Sequence, residues 1–462
     1  MASVRAAARC RDRAVLRQTR DGRAKIRCCW GRTGYPWRGF RLLCAGATLS
    51  DGSSRTMAKP QRFVTACNNP DSRAELTLLK QSTDAKTDAW NRIFRVSAMI
   101  VPYRMSPFID LVAVEAWDAW FRWRDATGLR DVAIEDTWRR IAFDLASVEI
   151  PIDAKRWRTR FLNALSSWKL LLDKRLLATA GTGTVTWGEG ALHASLNAAA
   201  FVLTGDRASC SVDLAALADC AELALRALDN ASLLAGLPNP YLRIGLVGVA
   251  DALFLLQIEY DSERGRKTAE ALARALAQGC FHASVLLAGE RGAREANLAR
   301  TIEAARRRGV DEAWVRDARR RGLRHVAMTA ITSQRELALL CNVVADALDP
   351  LTGEDHAYVF VAPGGNRVLS SSGYALSVSR AERDRAHTET LQNLGCLPQL
   401  RMRAALQACL DEPIAYPLLV KAEPDEREWR EANLQARRYG LPPVGWRNVS
   451  GTMYACTQSA AI

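Results

Sequence analysis

The 462-residue sequence has no run of about 18 consecutive apolar residues, so no membrane-spanning helix is expected. No charged start leads into an apolar segment of roughly 7–15 residues, which argues against a secretory leader. Cysteine occurs twelve times but never as C-x-x-C; Cys28 and Cys29 adjoin, the rest lie far apart, and no zinc site is expected. The five histidines, His193, His282, His325, His356 and His387, are scattered and read as surface or satisfied core residues, not ligands. A dinucleotide fingerprint is missing too: Gly245-x-x-Gly248 lacks the third glycine and stands in a run that reads as helical. What is present, 48% apolar and 25% charged residues, describes a globular chain of two to four domains and excludes collagen, coiled coil and wholesale disorder.

Net charge is +14, and it is concentrated at one end. Residues 1–62 hold 15 Lys/Arg against 3 Asp/Glu, whereas the other 400 residues hold 49 against 47. That head also carries Cys10, Cys28, Cys29 and Cys44 and shows no amphipathic period. It reads as a disordered or spurious extension, with Met57, Met99 and Met105 as alternative starts; its Arg-rich, acid-poor composition also fits a transit peptide. Neither nucleic acid nor a membrane is an expected partner, and the cytoplasm, with reduced thiols, is the expected location.

Helical periodicity sets in near Ile109. Trp117, Trp120, Phe121 and Trp123 cluster, the run Ile134–Val148 repeats apolar residues at three and four, and a third helix is expected over about Asp153–Leu172. The glycine-rich stretch Thr179–Gly190 reads as a loop. A long helix follows, capped by Ser211 or Asp213, with Leu214, Leu217, Ala218, Ala221, Leu225 and Leu228 on one face and Cys220 at its core edge. Gly245 and Gly248 permit close backbone packing, and another long helix is expected over about Arg264–Gly289. Between Arg300 and Arg324 the acids Glu303, Asp311, Glu312 and Asp317 interleave with arginine, which reads as a solvated helix face. Val326–Ile331 is a candidate buried strand, Ala357–Ala362 and Arg367–Leu369 a hairpin about Pro363-Gly-Gly-Asn, and two helices close the pattern: Leu400–Gln407, and Asp425–Tyr439 ended by Gly440.

Several of these segments, in this order, resemble the large subunit of ribonucleotide reductase, specifically its adenosylcobalamin-dependent kind. They are Phe121-Arg-Trp-Arg, Glu135-Asp-Thr-Trp-Arg-Arg-Ile-Ala, Ala178-Thr-Ala-Gly-Thr-Gly, and Leu228-Asp-Asn followed by Arg243-Ile-Gly-Leu-Val-Gly-Val-Ala-Asp-Ala-Leu and Tyr260-Asp-Ser-Glu-Arg-Gly. Weaker pieces are Thr329-Ala-Ile331, Leu400–Gln407 and Ala436–Arg447. The resemblance implies a helix-rich α/β fold: an N-terminal helical domain over 99–178 after the basic extension 1–98, an incomplete version of the family's ten-stranded barrel over 179–448, and a tail over 449–462.

The family's chemistry needs a thiyl radical, two redox cysteines, and a Glu and an Asn for protons. Here Ala199 stands near the expected first redox cysteine, and Cys210 is the sole thiol placed to echo the second. The family's Asn-x-Cys-x-Glu loop has no counterpart between Val202 and Ser211, and its Ala-Pro-Thr-Gly-Thr loop becomes Thr332-Ser-Gln-Arg-Glu336. The expectation is a degenerate member that has lost catalysis and its adenosylcobalamin, with no metal site. Two alternatives remain: an active cobalamin-dependent ribonucleoside-diphosphate reductase, and a module that binds a ribonucleotide or docks on a full-length reductase or on itself. Gly181, Thr182, Gly183, Ser333 and Arg335 are the candidate nucleotide-binding residues, and a concave pocket joining Gly181–Gly183 to Arg324 and Arg335 would mark the binding module.

Overall fold

The computed structural model describes residues 107–203, 210–294, 298–353, 356–362, 365–378, 390–391 and 393–449, together with three short strands, Arg17–Gln18, Ala24–Lys25 and Met453–Ala455. The chain divides into two units, Met1–Pro102 and Tyr103–Ile462. Of the first, the described part is an antiparallel ladder that pairs Arg17 with Lys25 and Gln18 with Ala24; the rest of the basic extension lies outside the described residues.

The second unit opens with three helices, α1 (Leu111–Trp120), α2 (Ile134–Ala146) and α3 (Pro151–Ser166). Local chemistry starts each one. Asp110 accepts the Val112 N–H at 2.8 Å, Asp136 reaches back to the N–H groups of Val132 and Ala133, and Pro151 sits where a helix needs no N–H donor. Trp117, Trp120 and Trp138 are buried, and the Trp138 ring meets that of Trp168 edge-on at 5.1 Å.

The helix expected to run to Leu172 ends six residues early. Trp168 turns the chain at a φ of 56°, and Leu170–Leu172 is a strand, β1, all three leucines buried. After α4 (Lys174–Thr179) comes β2 (Leu192–Asn197), which takes β1 antiparallel on one side. On its other side lies β3 (Leu242–Val247), parallel and paired from Leu192–Leu242 to Asn197–Val247. Between β2 and β3 runs α5 (Leu214–Leu234), capped by Asp213, whose carboxylate accepts the Ala216 N–H; of the expected stripe Leu217, Ala221, Leu225 and Leu228 are buried, Ala218 is half-buried, and Leu214, in the first turn, is exposed.

Here the helical reading of Arg243–Leu256 is corrected. Leu242–Val247 is a strand, Gly248 turns at a φ of 67°, and α6 (Val249–Leu255) begins directly after it. A parallel strand covered on both faces carries an unbroken apolar run, so it lacks the alternation that would betray it. The close packing expected of the two glycines is present: an added Cβ would stand 2.5 Å from the Ala330 carbonyl at Gly245 and 2.5 Å from Asn197 Oδ1 at Gly248.

The strand expected over Val326–Ile331 is reduced to one parallel bridge, Ile244 to Thr329, made by Ile244 N–H on the Met328 carbonyl and Ala330 N–H on the Ile244 carbonyl. Ala327, at a φ of 52°, breaks its extension. No closed barrel is present among the described residues.

Between these segments lie α7 (Glu263–Arg291) and the helical pair α8 (Leu298–Arg307) and α9 (Glu312–Arg321). Helix α7 is long and apolar enough to cross a membrane, with a mean hydropathy of 1.3 over its most apolar window, but 72% of that window is buried inside the fold, as a core helix requires. After α10 (Arg335–Leu340) come the expected hairpin, β4 (His356–Ala362) with β5 (Gly365–Ser371), and the short α11 (Tyr374–Val378). Its turn at Pro363 and Gly364 lies outside the described residues. Then follow α12 (Cys396–Gln407), β6 (Leu418–Val420), α13 (Glu426–Arg438, capped by Asp425), β7 (Trp446–Asn448) parallel to β6, and β8 (Met453–Ala455) parallel to β4.

One apolar cluster runs from Val112 to Tyr416 and joins the first helices to the β1–β2–β3 sheet. Its tightest point is the crossing of α5 and α7, where a Cβ on Gly279 would overlap the Ala218 carbonyl. A backbone atom cannot swing aside as a side chain can. Gly279→Ala is therefore expected to cost about 2–3 kcal/mol through overpacking, read as a lower urea midpoint; a loss under about 0.5 kcal/mol would contradict this packing.

Candidate functional site

The C-terminal ends of β2 and β3 converge on a small polar cluster. Asn197, the last residue of β2, donates from Nδ2 to the Cys341 Sγ at 3.3 Å and accepts the Ala199 N–H at 3.2 Å. Asp251, in the first turn of α6, is fully enclosed, and its two oxygens accept the N–H groups of Ala345 (2.7 Å) and Ala375 (3.0 Å). Burial outweighs these bonds and pushes its carboxyl up to about 6. Asn342 ties the end of α10 to the start of the unit, accepting from Ile109 N–H at 2.8 Å and donating to the Pro107 carbonyl at 3.1 Å.

The thiols are the reactive currency that the family resemblance demands. All six described cysteines are free. Cys341 is 1% exposed, and burial followed by the Asp251 carboxylate raises its thiol, with the Asn197 hydrogen bond opposing. Burial likewise pushes Cys220 up to about 12 and Cys396 up to about 11, and raises Cys280 and Cys409. Cys220 lies at the core edge, 6% exposed, as its place beside the stripe implies. Ala199 is packed into the short 3-10 turn after β2. Cys210 is half-buried and lines an open surface cleft of ≈ 650 Å³ with Leu256, Ile258, Glu263 and Lys267.

The loop from Thr332 to Asp349 holds the second group of candidates. Ser333 Oγ donates to Asp346 Oδ2 at 2.5 Å, and the Gln334 N–H donates to Asp346 Oδ1 at 2.6 Å. The donors that an anionic ligand would use are thus spent on a carboxylate of the same chain. Arg447 Nη2 binds Asp346 Oδ2 at 3.1 Å and also Asp349 Oδ2. Burial raises both acids, Asp349 to about 7, with Arg447 opposing and Asp346 adding to the rise at Asp349. Asp349 Oδ1 and Arg447 Nε are buried without a hydrogen-bond partner among the described residues. Arg335 does face a cleft, of ≈ 100 Å³, which it shares with Val343, Asp349, Tyr358 and Arg447.

The third candidate stretch lies elsewhere. The Gly181 N–H donates to Asp144 Oδ2 at 2.7 Å, Thr182 Oγ1 donates to the Thr179 carbonyl, and Gly181 is pressed against the Arg140 carbonyl of α2. Arg324 is buried and bound to Asp229 at 2.8 Å. Gly181 and Arg324 are thus held by different partners, Asp144 and Asp229, and neither Gly181–Gly183 nor Arg324 lines the cleft that Arg335 faces. Asp251, Asp346, Asp349 and Arg447 were not legible as site residues. The one available signal was two acids, Asp346 and Asp349, set within the apolar run Val343–Leu351.

An acid whose pKa is higher in the folded than in the unfolded chain holds its proton more tightly when folded. The fold then loses stability as pH rises from the ordinary 3.8 towards about 7 at Asp349. Asp349→Asn abolishes that loss, so relative to the wild type it is expected to gain about 2–4 kcal/mol between pH 4 and pH 8. Urea unfolding at both pH values checks it; parallel pH profiles for the two proteins would refute the assignment.

Comparison with known proteins gives one family match and no curated relative. No curated protein matches the chain. Residues 192–343, from β2 to the residue after Asn342, match the family model for the ribonucleotide reductase barrel domain. The match covers less than half of the 462 residues; over that stretch it supports a relationship to the reductase large subunit and to a ribonucleotide reductase-like protein.

Proposed function

We propose that this chain keeps an incomplete part of the reductase barrel as a scaffold and does not itself reduce ribonucleotides. The observation that carries the reading is the Asp346 carboxylate, which engages Ser333 Oγ and the Gln334 N–H. A diphosphate approaching those donors would meet a negative charge already bonded to them and a second acid, Asp349, beside it. Thiol chemistry points the same way. Taking a ribose hydrogen requires a thiol facing the sugar, and turnover requires two more to supply electrons; Ala199 offers no sulfur, and Cys341 is enclosed.

The residues at the sheet ends do not suit adenosylcobalamin, the group implied by the resemblance. A group that supplies a radical by homolysis of its cobalt–carbon bond would need a thiol at an open face, whereas Cys341 is 1% exposed and its Sγ accepts a hydrogen bond from Asn197. In this reading the chain works by docking, on a full-length reductase or on a second copy, and the outward apolar residues of the first helices support it: Leu111 (70% exposed), Val132 (71%), Phe143 (62%) and Ile152 (87%).

Equilibrium binding of adenosylcobalamin and of ribonucleoside diphosphates and triphosphates to the full chain, with an assay for deoxyribonucleotide product, tests the proposal. The expected outcome is no saturable binding and no product. Turnover would overturn it in favour of an active cobalamin-dependent enzyme, and nucleotide binding without turnover would make the chain a nucleotide-binding module.

A further inference from the structure

The helical pair α8 and α9 carries positive charge out of proportion to the fold around it. Residues 298–324 contain nine arginines, no lysine, and four acids, Glu303, Asp311, Glu312 and Asp317. The pair packs inward through Ile302, Ala305, Val315 and Ala318 against Phe281 and Val285 of α7. Three of its arginines serve the structure: Arg306 binds Glu312, Arg308 binds Asp411, and Arg324 binds Asp229.

Folding consumes the acids and leaves arginines over. Asp311 caps α9 through the Ala313 N–H, Glu312 is held by Arg306, Asp317 by Arg320, and Glu303 is shared at 4.0 and 3.6 Å by Arg306 and Arg307. Arg300, Arg316, Arg319 and Arg321 are exposed and have no ion-pair partner among the described residues. The helix dipole accounts for Arg319 and Arg321, which lie in the last turn of α9. It does not account for Arg300, in the first turn of α8, where a cation is unfavourable; Arg316, at mid-helix, acts on Glu312 and Asp317 through charge alone, without a direct ion pair.

We propose that the outer face of this helical pair binds the phosphate backbone of nucleic acid without sequence preference. The guanidinium fork matches phosphate oxygens two at a time, and on this pair every cation is arginine. A protein partner would need an aromatic or aliphatic anchor, and no large hydrophobic residue between 298 and 325 is exposed. Trp314 is half-buried and stacked on His282. Insertion into a membrane would need an apolar face, and that of this pair is turned onto α7. Nonspecific association with nucleic acid needs charge alone. The interleaved acids that make this run read as a solvated face in the sequence are, in the fold, turned to their own partners.

The test is a salt titration of the full chain against a fluorescently labelled duplex oligonucleotide. Residues 1–62 are also strongly basic, so the deciding quantity is the change made by a variant and not binding as such. Changing Arg300, Arg316, Arg319 and Arg321 together to Gln should flatten the slope of log affinity against log salt by about 0.9 for each phosphate no longer neutralised, about 3–4 in all. At low salt the variant should bind at least tenfold more weakly. The corresponding Lys variants should restore the slope, which a merely unfolded Gln variant would not explain. An unchanged slope and affinity in a folded Gln variant would overturn the proposal. So would a larger loss of affinity by the Gln variant for polyglutamate or for anionic phospholipid vesicles than for the oligonucleotide.

Discussion

The carboxylate of Asp229 is the constraint on which the described fold turns. It is wholly buried in the C-terminal part of α5, facing the end of α7, and binds three cationic or basic groups: Arg324 Nε at 2.8 Å, His325 Nε2 at 2.8 Å, and Arg291 Nη1. Burial alone would raise its pKa, but the hydrogen bonds and charges of His325, Arg324 and Arg291 reverse this and hold it well below the usual carboxylate range. The neighbouring Asn230 extends the network to the Leu145 carbonyl and to Glu149, which Arg226 and Arg291 also bind, while the Arg226 guanidinium covers the Trp157 ring at 4.0 Å. Removing one member would leave a buried charge uncompensated, a loss of about 3–5 kcal/mol. By fixing Arg324 and His325, the network delivers Met328–Ala330 alongside β3 and so sets the start of the Thr332–Asp349 loop.

That segment satisfies its own polar groups from within the chain. Its backbone and hydroxyl donors are satisfied by Asp346, and Asp346 is in turn restrained by Arg447 from the β7 strand. Buried acids are expensive unless paired, and two acids share one guanidinium here. The strain of that arrangement surfaces as the raised pKa of both and as the partnerless Asp349 Oδ1 and Arg447 Nε. A scaffold can tolerate such a cluster; a diphosphate site would need the same donors free.

Much of the helical framework was legible because periodicity and caps agree: Asp213 before α5, Asp425 before α13, and the Leu217–Leu228 stripe each mark what the structure contains. The hairpin of β4 and β5 was legible from its alternation and its glycines. Short buried strands were not. Leu170–Leu172 is wholly apolar and Leu242–Val247 is apolar but for Arg243, so their period is hidden, and Trp168 and Gly248 turn the chain at points that carry no unambiguous signal. At the site, the resemblance set Ala199 near the position of an expected redox cysteine, but the sequence could not show that Asp346 folds back onto Ser333. That hydrogen bond spans 13 residues and depends on Arg447, 101 residues further on.

The most direct test of the account follows backbone amide hydrogen exchange by mass spectrometry across residues 329–341, with and without a ribonucleoside diphosphate at millimolar concentration. The Gln334 N–H, bonded to Asp346, should exchange slowly, and the nucleotide should leave the exchange of this peptide unchanged. Rapid exchange that becomes slow and saturates with added nucleotide would show that these donors are open to an external anion, and the account of a closed scaffold would fail.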